Sequence, residues 1–191
     1  MEPRLEQAKA GRRTVFFVDA AHFVLGVYLG WLWCFVRVVV RAPSGRQRFN
    51  VLGALNAVTH QLLTVTNETY INSLSVCALL EKIAELGLQE PITLVMDNAR
   101  YQRCRLVMEK AKDLEIELLF LPPYSPNLNL IERLWKFVKK ECLYATYYEN
   151  FALFKHAIVT CLSETTGRHH SPLDTLLTLV FQTLHPSSCD L

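Results

Sequence analysis

Three acidic residues, Asp19, Asp97 and Glu132, stand where they could share one metal-binding point. Asp19 closes the apolar run TVFFVD (14–19), and Asp97 closes a second, ITLVMD (92–97). Glu132 lies in LPPYSPNLNLIERLWKFVKK (121–140), where a proline-rich turn leads into an amphipathic helix. Thirty-four residues lie between Asp97 and Glu132. Two strand-end aspartates and a helical glutamate form the carboxylate set that metal-assisted chemistry on a phosphodiester needs. If the two strands are neighbours, the aspartates sit side by side. Like charges that close invite a proton or a cation between them. An all-oxygen donor set favours Mg2+ or Mn2+ over zinc.

Each acid has a blander reading. Either aspartate alone is also an ordinary solvated strand terminus, and only the trio in this order favours a site. With Asn129 as N-cap, Glu132 becomes the third helical residue of a capping-box-like pair. A helix starting at Ser125 or Asn127 fits equally well. On a helical wheel Leu128, Ile131, Leu134, Trp135 and Val138 form the buried stripe, opposite Glu132, Lys136, Lys139 and Lys140. A carboxylate followed by three lysines suits a surface that holds metal at one end and phosphates along its length. As a plain solvated face, the Glu–Lys spacing stabilises a helix by only ~0.2–0.5 kcal/mol. Arg100, Arg103 and Arg105 follow Asp97, and Arg41, Arg46 and Arg48 flank a turn. Each cluster reads as a phosphate contact or as ordinary surface charge. Asn98 is placed to orient Asp97 or a water bound there.

The elements that must position these groups follow from apolar periodicity. Strands are expected at 14–19, within Trp31–Arg41, at 48–58 and 60–68 as a meander, at 92–96 and at 116–121. Helices are expected at 71–87, where Leu74, Leu79, Leu80, Ile83 and Leu86 recur at helical spacing and Gly87 stops the run. Further helices are expected at 101–114, 128–143, 151–164 and 172–184. Residues 1–13 read as a helix tail and turn, a remnant or linker ahead of a core over 14–145. Residues 146–191 read as C-terminal helices packed on it. Strands alternating with helices imply an α/β architecture, a mixed sheet with helices on both faces.

Composition narrows the class. A chain of 191 residues that is 51% hydrophobic and 20% charged can bury a sizeable core and is not disordered. A net charge of +2 suits a catalytic core with local basic patches better than a dedicated DNA-binding module. Six cysteines (34, 77, 104, 142, 161, 189) without a CxxC pair read as free thiols in a reducing cytoplasm. The pair His169–His170 lacks zinc-site spacing. FVLGVYLGWLWCFV (23–36) is too short to span a membrane, which takes ~20 apolar residues, and reads as buried strand or connection.

FVDAAHF, RFNVLGALN, LVMDNARY and LPPYSPNLNLIERLWKFVKK, in that order, resemble the DDE transposases of the mariner superfamily, and most closely their bacterial insertion-sequence branch. The likeness runs from about residue 14 to about residue 145. It implies an RNase H-like fold, a central mixed five-stranded sheet flanked by helices. It implies that Asp19, Asp97 and Glu132 are the catalytic triad, holding two Mg2+ or Mn2+ ions. It also implies strand cleavage and strand transfer in cut-and-paste transposition, with transposon-end DNA and TA-containing targets as partners. Work as a homodimer and a bacterial cytoplasmic, nucleoid-associated setting follow from the same likeness.

The chain departs from the pattern in three places. Relatives carry a helix-turn-helix region ahead of the core, where this chain has about thirteen residues before the first strand. An upstream-frame half joined by frameshifting, or a decayed element, accounts for that. Ala20 stands where many relatives have an acid, and Tyr101-Gln102 where many have a histidine. The competing reading is a catalytically incompetent fragment that binds DNA or assembles with a full-length transposase. A third is another RNase H-like nuclease, which shares the triad but not the PPYSPNLNLIE connector.

Overall fold

A computed structural model describes residues 1–26, 47–123 and 125–181. Five strands form one sheet in the order β3-β2-β1-β4-β5. They are β1 (Thr14–Val24), β2 (Arg48–Asn56), β3 (Leu62–Asn67), β4 (Ile92–Met96) and β5 (Ile116–Phe120). The first three make an antiparallel meander, while β1–β4 and β4–β5 run parallel. The sheet is therefore mixed and five-stranded, as expected. The strand anticipated within Trp31–Arg41 falls outside the described residues, as do Arg41 and Arg46.

One boundary differs in a way that matters. β1 does not stop at Asp19 but continues to Val24. Its parallel pairing with β4 ends at Phe17↔Val95, yet its antiparallel pairing with β2 continues through Asp19↔Gly53 to Val24↔Arg48. The apolar run ends at Asp19 because β1 loses a neighbour there, not because the strand ends.

Side chains alternate between faces along a strand, and the two faces bury different helices. Phe16, Val18, Leu52, Leu94 and Met96 pack with α2 (Ser73–Ala84) and α3 (Arg105–Asp113). Val15, Phe17, Ala21, Val51, Leu55 and Val95 pack with α1 (Glu2–Lys9), α4 (Ile131–Cys142) and α5 (Phe151–Ser163). The short α6 (His170–Leu176) adds Leu173 to this second layer. In α2 the buried stripe is Val76, Leu79, Leu80 and Ile83. Leu74, in the first turn, is 65% exposed instead. Positive φ at Gly11 and Gly87 turns the chain after α1 and α2.

α1 is docked onto the core by more than apolar contact. Arg4 makes a two-nitrogen grip on Glu117, and Arg13 donates to Glu117 and to Thr93. At the other extreme of the chain, Arg133 of α4 donates to the carbonyls of Thr178 and Val180, each at 2.7 Å. Its guanidinium also lies over the ring of Phe181, which packs against Phe17. Segment 176–181 is thereby pinned across α4, and the last expected helix ends at Leu176 rather than running on toward 184.

Candidate active site

Parity puts all three acids on one side. Asp19 and Asp97 each lie two residues beyond the last parallel pair, Phe17↔Val95. Both therefore share the face of Phe17 and Val95, the one that α4 covers. Asp97 follows β4 directly and is exposed, its Oδ1 accepting the Ala99 N–H at 3.1 Å. Asp19 is partly buried, and the indole N–H of Trp135 donates to its Oδ2 at 3.0 Å. Glu132 sits in the first turn of α4, over the same face.

The Pro-rich connector brings Glu132 there by another route than a capping box. Pro126–Leu128 forms a single 3-10 turn, and α4 begins at Ile131 without a side-chain cap. Asn129 is not the N-cap. It is buried, and its amide N–H donates to the Val18 carbonyl at 3.1 Å, tying the connector to β1 beside Asp19. Its Oδ1 is buried without a partner. A tie to the sheet wins over the local cap because it fixes where the helix lands, not merely where it starts.

Asp19, Asp97 and Glu132 line one cleft of about 470 Å³, together with Asn98, Leu121, Ser125 and Asn129 among others. The electrostatics agree with their proximity. Burial, then the charge of Glu132, pushes the Asp19 carboxyl up to about 7, with Asp97 adding to the rise and the Trp135 bond opposing it. Burial and the nearby charge of Asp97 likewise raise the Tyr101 phenol to about 12, so it stays protonated. Among the described residues, no three His, Cys, Asp or Glu side chains close into a finished metal cage. The acids instead line an open cleft, and Mg2+ is commonly held by one or two carboxylates with water and substrate oxygens completing its shell. An all-carboxylate donor set with mutual repulsion and, among the described residues, no cation beside Asp19 fits a hard divalent ion.

The other expected site residues are placed more variously. Asn98 lines the cleft, but its amide donates to the Leu121 carbonyl and accepts from Arg103 Nη1 at 3.1 Å. It braces the ends of β4 and β5. Arg103 also lies over the Phe120 ring at 5.2 Å, so it packs as well as carries charge. Arg100 is exposed in the turn after Asp97. Lys136 and Lys140 are exposed and Lys139 half-buried along α4, and none makes an ion pair among the described residues. Lys136 and Arg133 line a second groove that shares Pro126, Asn129 and Glu132 with the first. Its far wall is Thr175, Leu176, Thr178 and Val180. Arg105 pairs with Glu109 at 2.7 Å.

Sequence reasoning placed Trp135 in the buried stripe, where it is, and missed its polar role. It missed Gly53, which lies opposite Asp19, and Arg133, whose i+1 position beside Glu132 carries no signal by itself.

A five-stranded mixed sheet with two acids just beyond the last parallel β1–β4 pair and a third on a covering helix defines the class, an RNase H-like fold. The chain belongs to the DDE superfamily endonucleases, whose family description matches residues 14–155. No curated protein sequence matches it significantly. Among solved structures it is similar to the Mos1 transposase paired-end complex with left transposon end, at 13% identity and a TM-score of 0.61 over 91% of this chain and 59% of that one. It is similar to the pre-cleavage Mos1 transpososome, also at 13% identity and 0.61, over 95% of this chain and 61% of that one. The Mos1 catalytic domain in complex with raltegravir and Mn gives 12% identity and 0.54, with 95% and 92% covered. The chain thus spans about three-fifths of the longer Mos1 chains, and at these identities the likeness concerns the fold.

Proposed function

We propose that this chain is the catalytic domain of a divalent-metal-dependent transposase that cleaves and joins DNA strands. The observation that carries the reading is the convergence of Asp19, Asp97 and Glu132 on one open cleft, where no cation stands beside Asp19 among the described residues. Membership of the DDE endonucleases and the Mos1 complexes with Mn and with Mg support it. Two divalent ions held by these carboxylates would stabilise the attacking and leaving oxygens of an in-line displacement at phosphorus. The chain's own residues do the positioning. Asn129 fixes the β1 backbone beside Asp19, Trp135 orients its carboxylate, and Asn98 holds the loop that carries Asp97.

The row of Lys136, Lys139 and Lys140, without ion pairs among the described residues, supplies phosphate contacts leading away from the cleft together with Arg100. We assign transposon-end recognition to a partner region, either an upstream helix-turn-helix half or a second chain. The Mos1 paired-end complex, whose fold this chain shares, holds transposon-end DNA. Cut-and-paste insertion at TA targets and action as a homodimer belong to the same proposal.

Incubation of purified wild type and Asp97→Asn with supercoiled plasmid and Mn2+ tests the reading. Nicking by wild type alone is expected. Equal nicking by the variant overturns the assignment.

A further inference from the structure

We propose that Trp135 is a positioning residue that fixes the Asp19 carboxylate for its cation, and that Gly53 is bare so that the indole can lie where it does. The inference rests on Asp19 being a metal-holding carboxylate. It goes further in assigning a role to two residues outside the acidic trio.

Trp135 is 2% exposed and its ring stands edge-on to Phe23, 6.4 Å between centroids. Packing therefore decides where the indole N–H points, and it points at Asp19 Oδ2, 3.0 Å away. A carboxylate has about four lone-pair sites, so one donated hydrogen bond fixes its plane and leaves oxygens free for a cation. An unrestrained aspartate beside Glu132 and Asp97 would instead swing away from their charge.

The space that the indole occupies exists because of Gly53. Gly53 is the cross-strand partner of Asp19, and its side-chain position faces α4. A Cβ there would meet Trp135 Cη2 at 2.8 Å, and Trp135 Cζ2 and Ile131 Cδ1 at 2.9 Å. Its φ is not in the left-handed region, so close approach and not backbone conformation accounts for glycine. Glycine inside a strand weakens it, and a packing role elsewhere in α4 would be filled as well by an aromatic ring without an N–H. The tryptophan and the glycine together make sense as a means of delivering that N–H to Asp19.

The test is Mn2+ affinity, read by electron paramagnetic resonance of free ion, together with melting temperature. Trp135→Phe keeps the ring and deletes the donor. It is expected to weaken Mn2+ binding roughly three- to tenfold, the scale of one ordinary hydrogen bond felt by the ion through Asp19, with melting held within a few degrees. Gly53→Ala is expected to weaken binding at least as much in the wild-type background. In the Trp135→Phe background it should have a smaller further effect, because the two indole atoms are gone and only Ile131 Cδ1, the end of a flexible side chain, still stands within 2.9 Å. The Trp135 indole N–H resonance should also move as Mg2+ is added to wild type, and not in Asp19→Asn. If wild type binds Mn2+ and Trp135→Phe binds it equally well, the positioning role is overturned while the metal reading stands. If wild type binds none, the metal reading falls and this inference with it.

Discussion

Two carboxylates at opposite ends of the parallel strands are treated in opposite ways. Glu117, second residue of β5, is surrounded by donors: Arg4 and Arg13 pair with it, and Thr93 donates to it at 2.7 Å. The Arg4 hydrogen bond, with help from Thr93 and Arg13, holds its carboxyl below the usual range. Asp19, at the other end, is partly buried beside two further acids and is pushed up to about 7. The fold can supply a cation to an acid that it wants neutralised, and at Glu117 it supplies two. At Asp19 it supplies neutral N–H donors, from Trp135 and the Ala20 backbone, and among the described residues no balancing cation. That difference separates an acid that holds α1 on the core from acids that wait for a ligand.

Each prediction sharpens that contrast. The largest effect is expected at the uncompensated end. Asp97→Asn or Glu132→Gln should lower Mn2+-dependent plasmid nicking by at least ~100-fold, the scale of losing an electrostatic group at a phosphoryl centre, without lowering the melting temperature. A drop in melting temperature alongside activity would make these acids structural, like Glu117.

The pH response should differ in sign. Because the folded state raises Asp19, its contribution to stability is full below the ordinary aspartate range and is lost as pH rises through about 7. Metal-free protein should therefore lose stability between about pH 4 and 7, by up to ~4 kcal/mol, and Asp19→Asn should flatten that slope. Glu117 behaves oppositely. Its folded pKa is lowered, so its contribution is present above the ordinary glutamate range and is lost on acidification. Thermal melts across pH 3–8 on both variants check the two signs together.

Glu117→Gln should cost about 1–2 kcal/mol of stability, since two guanidinium groups lose their charged acceptor at a partly exposed site. Nicking should be retained. The smallest effect is expected on the α4 row. Lys136→Gln and Lys140→Gln should weaken DNA binding a few-fold each and reduce the salt slope by about one apiece. An unchanged slope in binding titrations would remove them from the DNA path.

How far this arrangement was legible in the sequence depends on the range of the forces involved. β4 was readable to its ends, because a short fully buried strand bounded by Pro91 and Asp97 is a local signal. That the three acids could meet was readable from two apolar runs ending in aspartate and from the polar face of a helix, and they line one cleft. The length of β1 was not, since its second half is held only by β2, a partner distant in sequence. The start of α3 was misjudged for a related reason. Residues 101–104 look helical by composition, but Gln102 and Arg103 both bond back to the Ala99 carbonyl and make a turn, so the helix begins at Arg105. Asn129 shows the limit most clearly. Its local chemistry points to a cap, and a single bond to Val18 across the fold overrules it.

The central claim is that these three carboxylates are a cation site, and diffraction from Mn2+-soaked crystals tests it most directly. The account predicts an anomalous peak in the cleft, bridged by Asp19 and Asp97 with Glu132 beside it, and absent in Asp97→Asn. Anomalous density elsewhere with this cleft empty at saturating Mn2+, or a peak unchanged in the variant, would contradict it.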